Sequence, residues 1–134
     1  MMNKYFFLLI TILLFACKKD LIDNDQSANL YFSTDTITFD TIFASIGSIT
    51  KTLTVYNRNN FDVKSNIALQ GNSAANFRMN IDGISGNSQN NIDIPANDSI
   101  FIFLEVTIDP SSSNVPYILS DSLVFTTGSR KQDV

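Results

Sequence analysis

The chain has 134 residues and a formal net charge of −4 at pH 7, with nine Lys and Arg against thirteen Asp and Glu. It contains no His and no Trp, and its one cysteine is Cys17, which argues against Ser-His or Cys-His nucleophile pairs, structural zinc and disulfides. The basic residues are scattered rather than clustered, so nucleic acid is not an expected partner.

Residues 1–16 have the anatomy of a secretory signal peptide. Lys4 precedes an apolar run over residues 5–15, and Ala16 is a small residue at the expected cleavage point. A transmembrane helix needs about 20 apolar residues, more than this run supplies. We therefore prefer a signal peptide to a permanent membrane span.

Cys17 follows the small residue directly, and Leu14 to Cys17 resembles the lipobox of bacterial lipoproteins. In that family the cysteine thiol is lipidated, and the chain is then cut just before it. Phe15 stands where a small residue is usual, a substitution that related signals in Bacteroidota accept. The resemblance implies lipid attachment at Cys17, a membrane partner and a cell-envelope location, most simply the outer membrane. The alternative is an ordinary cleaved signal followed by an unmodified cysteine.

Residues 17–28 are charged, polar and without periodicity, which is typical of a flexible tether. Asp20, Asp23 and Asp25 resemble the acidic export signal of some surface lipoproteins in Bacteroidota, although two lysines come first. A plain solvated linker is the preferred interpretation. The sequence leaves open whether the protein faces the periplasm or the cell surface.

From Asn29 onward, apolar and polar residues alternate, the pattern of half-buried strands. The alternation predicts about eight short strands, at or near residues 30–32, 36–43, 50–57, 61–63, 67–69, 77–81, 99–109 and 121–128, and Ile92 and Ile94 lead into the turn before the long strand. Residues 82–91 are predicted to form a long loop and residues 110–116 a crossover. No segment has the period of an amphipathic helix. This pattern predicts a single all-β domain, an antiparallel β-sandwich over residues 29–134.

The strongest predicted strand covers residues 99–109. One face carries the aliphatic residues of the predicted core, whereas the other begins with Phe101 and Phe103, where an outer face should be polar. The two phenylalanines are either covered by a crossing segment near residues 115–119 or form a contact surface for a following domain or partner.

Short motifs add a family resemblance. Asn57 follows an early strand, Pro95 lies in the turn before the long strand, and Pro110 follows its end. This order resembles the immunoglobulin-like sandwich of the hydin and abnormal-spindle type. The whole chain also resembles the N-terminal part of large lipoproteins of Bacteroidota, which implies an envelope role and no known reaction.

The end of the chain departs from that pattern. Another strand is expected after the turn at residues 127–130, but the sequence reaches only Val134. We expect the final strand to be truncated, leaving an open sheet edge. Either the chain is a fragment of a longer protein, or a partner strand completes the sheet by β-augmentation.

Four tripeptides of the form Asp-Ser/Thr-aliphatic resemble the O-glycosylation sequon of exported proteins in Bacteroidota. The hydroxyl residues in these tripeptides are Thr36, Thr41, Ser99 and Ser122. The structural alternative is that an Asp in a turn, followed by a β-former, simply begins a strand.

Acidic residues give no sign of metal binding or catalysis. The spacing of the loop aspartates matches no calcium loop. Glu105 is the only glutamate, and the carboxylate pair of a glycosidase cannot be placed. We predict no enzyme, no metal and no cofactor.

The first functional hypothesis is a non-catalytic cell-envelope lipoprotein whose immunoglobulin-like domain serves as a spacer or protein-interaction module. The second is a carbohydrate-binding module of a surface glycan-uptake system, in which Tyr31, Tyr56 and Tyr117 would stack on sugars. The scarcity of aromatic residues outside the predicted core argues against it. The third is an N-terminal fragment of a larger enzyme, adhesin or other surface protein.

Overall fold

The computed structural model describes residues 28–40, 47–108 and 118–134. These residues form β1 (Leu30–Phe32), β2 (Lys51–Asn57), β3 (Val63–Leu69), β4 (Phe77–Ile81), β5 (Ile84–Gly86), β6 (Ser88–Ile94), β7 (Asp98–Val106), β8 (Leu123–Thr127) and β9 (Arg130–Asp133). One turn of 3-10 helix, Ala74–Asn76, precedes β4. Among the described residues, no helix is long and apolar enough to cross a membrane.

The strands form two sheets, and each pairing is antiparallel. The first sheet has the order β1-β2-β7-β4-β5 and the second the order β6-β3-β8-β9. If β1, β2, β3, β4, β7, β8 and β9 are lettered A to G, the sheets contain the ABED and CFG orders of an immunoglobulin constant domain. The extra strands, β5 and β6, extend one edge of each sheet. The predicted all-β sandwich is therefore confirmed.

The core lies between the two sheets, where alternate side chains of each strand meet. The most deeply buried apolar residues are Leu53, Val55, Val63, Ile67, Met79, Ile81, Ile94, Ile102 and Phe125. Phe32 joins the sheets directly, since its ring centroid lies 4.8 Å from that of Phe125. Burial of one such side chain contributes about 1.5–3 kcal/mol, which is how a domain without disulfides can be stable.

The strand predicted over residues 36–43 is not present in its described part, residues 36–40. The Thr34 hydroxyl donates to the carbonyl of Thr36 at 2.8 Å, a local bond that competes with strand pairing. Ile37 and Phe39 are half-buried against the core, and the Phe39 ring lies 6.1 Å from that of Phe77. The alternation therefore indicates that Ile37 and Phe39 cover the core, and it does not indicate a paired strand. Residues 41–43 lie outside the described residues.

The long loop predicted over residues 82–91 is wrong. Asp82 and Gly83 both have positive φ, 55° and 81°, and they connect the paired residues Ile81 and Ile84. This is the backbone of a two-residue hairpin turn, for which Asp-Gly is a preferred sequence. It joins β4 to β5, and β6 follows after one residue.

Two predicted short strands, 61–63 and 67–69, form the single strand β3. Its partner β6 has a bulge, because two residues, Asn90 and Asn91, stand opposite Asn66. Asn91 has a φ of 56°, and its N–H donates to the Asn66 side-chain oxygen at 2.8 Å. Polar residues that resemble a loop in the sequence are thus accommodated within a sheet.

The strand expected to be cut short near Lys131 is present as β9. It pairs with β8 from Thr127–Arg130 to Val124–Asp133. Val134 continues the pairing, since its N–H and carbonyl both bond to Leu123, at 3.1 and 3.0 Å. β9 is the last strand of its sheet.

Candidate binding surface on the first sheet

Alternation along β1, β2 and β7 places aromatic residues on the outer face of the first sheet. Phe101 is 55% exposed, Phe103 42% and Tyr31 45%, whereas Tyr56 is half-buried. The strand pairings set Tyr31 opposite Tyr56, and Tyr56 opposite Ser99. Ser99, Phe101 and Phe103 then follow one another along a single face of β7. The exposed aromatics therefore share one surface.

Small polar residues surround the two phenylalanines. Phe101 lies opposite Thr54, and Phe103 lies between Thr52 on one side and Asn80 on the other. No side chain of the described residues buries this pair, and Ile118, from the segment expected to cross over them, is itself 94% exposed. Residues 115–117 of that segment lie outside the described residues.

A cluster of two tyrosines and one arginine lies beside this pair. The guanidinium carbon of Arg58 is 4.7 Å from the ring centroid of Tyr31 and 5.9 Å from that of Tyr56. Both distances allow a cation–π interaction. Within the described ranges the only ion pair joins Lys64 and Asp93. Aromatic rings therefore hold the Arg58 charge in place, and its N–H groups donate to no other residue in the described ranges.

Arg58 forms one wall of a shallow depression of about 220 Å³ where β2 ends and β7 begins. The lining residues are Tyr56, Asn57, Arg58, Asn97, Asp98 and Ser99. The volume lies below the range of about 300–1,000 Å³ typical of drug-sized ligands, so the depression suits one small ring. It combines an aromatic wall with a charged donor and a charged acceptor.

Asn57 fixes the floor of this depression. Its side chain is buried, and its amide nitrogen donates to the carbonyls of Phe61, Ile94 and Pro95 at 2.8, 2.9 and 3.1 Å. Its oxygen accepts from the backbone and side-chain nitrogens of Asn59, at 3.0 and 2.8 Å. One side chain thus ties two turns together, and the walls that those turns carry are held rigidly.

The candidate glycosylation residues that the structure describes differ in solvent exposure. Thr36 is exposed in an unpaired segment, whereas Ser99 and Ser122 are half-buried. The backbone N–H groups of Ser99 and Ser122 donate to the side chains of Asp98 and Asp121 at 2.7 and 2.8 Å. These two motifs do begin or precede a strand, as the structural alternative predicts. Thr41, like the proposed lipid-attachment residue Cys17, lies outside the described residues.

Carboxylates do not gather in the described part of the chain, where no group of three or more His, Cys, Asp or Glu side chains could hold a metal ion. Asp121 is the one carboxylate with a buried oxygen, Oδ2, that has no hydrogen-bond partner there. Its other oxygen accepts from the N–H of Gly71 at 2.7 Å, so it fixes a turn.

Among the described residues, Tyr31, Phe101 and Phe103 are the exposed aromatic side chains, and they lie on one sheet face. Tyr31 and Tyr56 are each on the polar face of their strand, a position visible from the alternation. What the sequence conceals is the pairing of β1 with β2, which brings the two rings and Arg58 together across 25 residues.

The chain matches no protein-family model, no curated protein and no solved structure.

Proposed function

We propose that this protein is a non-catalytic lipoprotein of the cell envelope, held to the outer membrane by lipid on Cys17. The sandwich serves as a spacer or protein-interaction module. The observation that carries this proposal is the lipobox-like sequence ending in Cys17, directly after an apolar run too short to span a bilayer.

The architecture supports a spacer role. The predicted tether precedes Ala28 and Leu30, which are both buried, so the first residues that the structure describes are packed into the core. The strand order supports the immunoglobulin-like resemblance, and the hydin and abnormal-spindle type remains our proposal within that class. The absence of histidine from the chain removes the commonest general acid–base residue and the Ser-His and Cys-His nucleophile pairs, which supports a non-catalytic role.

Phe101 and Phe103 are the proposed contact surface for an envelope protein. They are large apolar side chains with exposed fractions of 55% and 42% on a flat sheet face. Exposed aromatic residues of this kind are enriched at the centres of protein interfaces. The polar threonines beside them supply the rim that such an interface needs.

Metabolic labelling with an alkyne fatty acid in the native host tests the anchor. Wild-type protein should carry the label and sediment with membranes, whereas Cys17→Ala should lose the label. Ser27→Ala, in the same tether, is the matched control and should label like wild type. An unlabelled wild-type protein would contradict the proposal.

A further inference from the structure

We propose that the depression beside Arg58 is a binding site for a neutral sugar residue, and that the protein thereby binds an uncharged glycan. The walls are Tyr56, Arg58 and Asp98, together with Asn97 and Ser99. The inference does not depend on lipidation of Cys17 or on the Phe101–Phe103 surface.

The chemistry of the walls matches a pyranose. The half-buried Tyr56 ring lines the depression, and an aromatic ring is the kind of apolar surface that packs against the C–H groups of a sugar. Arg58 supplies a fork of N–H donors, Asp98 supplies acceptors, and Asn97 supplies both. A ring of alternating hydroxyls needs donors and acceptors at its edge and an apolar surface beneath it. These side chains provide both within one depression.

The charges of the walls favour a neutral ligand. The lining contains one cation, Arg58, and one anion, Asp98, so their charges cancel. The chain as a whole carries −4, which disfavours phosphorylated, sulfated or uronate polymers. A site for such polymers would instead gather several Lys and Arg side chains.

The residues that line the depression are held in place in the absence of a ligand. Arg58 is held over Tyr31 at 4.7 Å, and the Asp98 Oδ1 atom accepts from the N–H of Ser99 at 2.7 Å, leaving its second oxygen for a ligand. Asn97 is anchored by a backbone bond of 3.1 Å to Asn59. Little ordering entropy is then lost on binding, which matters for a shallow site. Tyr31 is a positioning residue, since it acts through Arg58.

The test uses the full chain, extracted in a detergent without a sugar headgroup, on a glycan microarray. The array carries neutral oligosaccharides of glucose, mannose, xylose and galactose beside polygalacturonate and heparin. We expect binding to at least one neutral glycan and none to the two polyanions. Cys17→Ala should bind equally, which separates this proposal from the lipid anchor.

Variants locate the site. Tyr56→Ala and Arg58→Ala should each weaken binding at least tenfold, whereas Ile84→Ala, an exposed apolar side chain on β5 of the same sheet, should stay within twofold. Tyr31→Leu should weaken binding, and Tyr31→Phe, which keeps the ring under the guanidinium, should restore it. Thermal unfolding of each variant checks that the domain is folded.

Three results would overturn the inference. The first is no binding to any neutral glycan on the array, and the second is binding to polygalacturonate or heparin alone. The third is binding that survives in folded Arg58→Ala and Tyr56→Ala, which would place the glycan elsewhere.

Discussion

Gln132 makes both backbone hydrogen bonds of Leu30, although the two residues belong to different sheets. The Leu30 N–H donates to Gln132 Oε1 at 2.9 Å, and Gln132 Nε2 donates to the Leu30 carbonyl at 2.9 Å. The side-chain amide thus takes the place of a neighbouring strand. It couples β1, the first described strand, to β9, near the end of the chain.

Replacing Gln132 with Ala should therefore destabilise the domain. Two backbone groups of Leu30 lose their partners, and we expect a loss of about 1–3 kcal/mol in the free energy of unfolding. Urea denaturation measures it. Gln70→Ala, at an exposed position, is the control and should change stability by less than about 0.5 kcal/mol. Equal stability of the two variants would show that the Leu30–Gln132 bonds contribute little.

Asn57→Ala should be more damaging, because three carbonyls and two N–H groups lose one shared partner. We expect the unfolding free energy to fall by about 2–4 kcal/mol, since most of these groups are in protected surroundings. Asn60→Ala provides a matched control, as Asn60 is exposed in the same turn. If Asn57→Ala unfolds at the same urea concentration as Asn60→Ala, the proposed role of Asn57 in fixing the depression is refuted.

Gly71→Ala should destabilise the turn that precedes the short helix. A Cβ atom there would lie 2.6 Å from Asp121 Cγ, and the carboxylate cannot move without losing its bonds to Gly71 and Ser122. We expect a loss of about 1–3 kcal/mol. Gly86→Ala is the control, because its nearest atom would be 3.6 Å away.

The two glycine variants can be compared by thermal unfolding. The double variant Gly71→Ala with Asp121→Ala should show a non-additive cost, because the added methyl group no longer clashes once the Asp121 carboxylate is removed. Strict additivity of the two changes would mean that Gly71 and Asp121 do not interfere.

Phe101→Thr with Phe103→Thr tests whether this pair is solvent-exposed in the whole chain. We expect the double change to alter the unfolding free energy by less than about 1 kcal/mol, as for surface positions. Ile102→Ala, between them in sequence and fully buried, should cost about 2–5 kcal/mol. A double variant as unstable as Ile102→Ala would mean that another part of the chain covers the phenylalanines.

The sequence predicted the sandwich well because its inward-facing residues alternate with period two. β2 and β7 are long strands with one apolar face, so both their existence and the buried face of each were predicted correctly. The same rule failed at residues 36–40, where Ile37 and Phe39 alternate but the backbone bonds locally instead of pairing. Alternation predicts which side chains are buried, but it does not predict whether the backbone pairs with a neighbouring strand.

Edge strands were the other weakness. β5 and the first part of β6 bury little, so their sequences carry no hydrophobic period and pairing alone defines them, whereas Ile92 and Ile94 at the end of β6 do alternate. The cluster of Tyr31, Tyr56 and Arg58 was missed for a related reason. Each residue has an unremarkable position on its own strand, and only the pairing of β1 with β2 makes them neighbours.

The bulge opposite Asn66 has a consequence for self-association in solution. β6 lies at the edge of its sheet, and at seven residues it would be long enough to recruit a strand from another molecule. Its pairing with β3 is instead interrupted between Gln89 and Ile92, and Asn91 turns the backbone to a φ of 56°. A second chain would find no long, straight row of free N–H and carbonyl groups to extend. Asn90 and Asn91 thus make β6, the longest of the described edge strands, a poor template for strand addition from a second molecule. No charged residue is needed at the bulge itself.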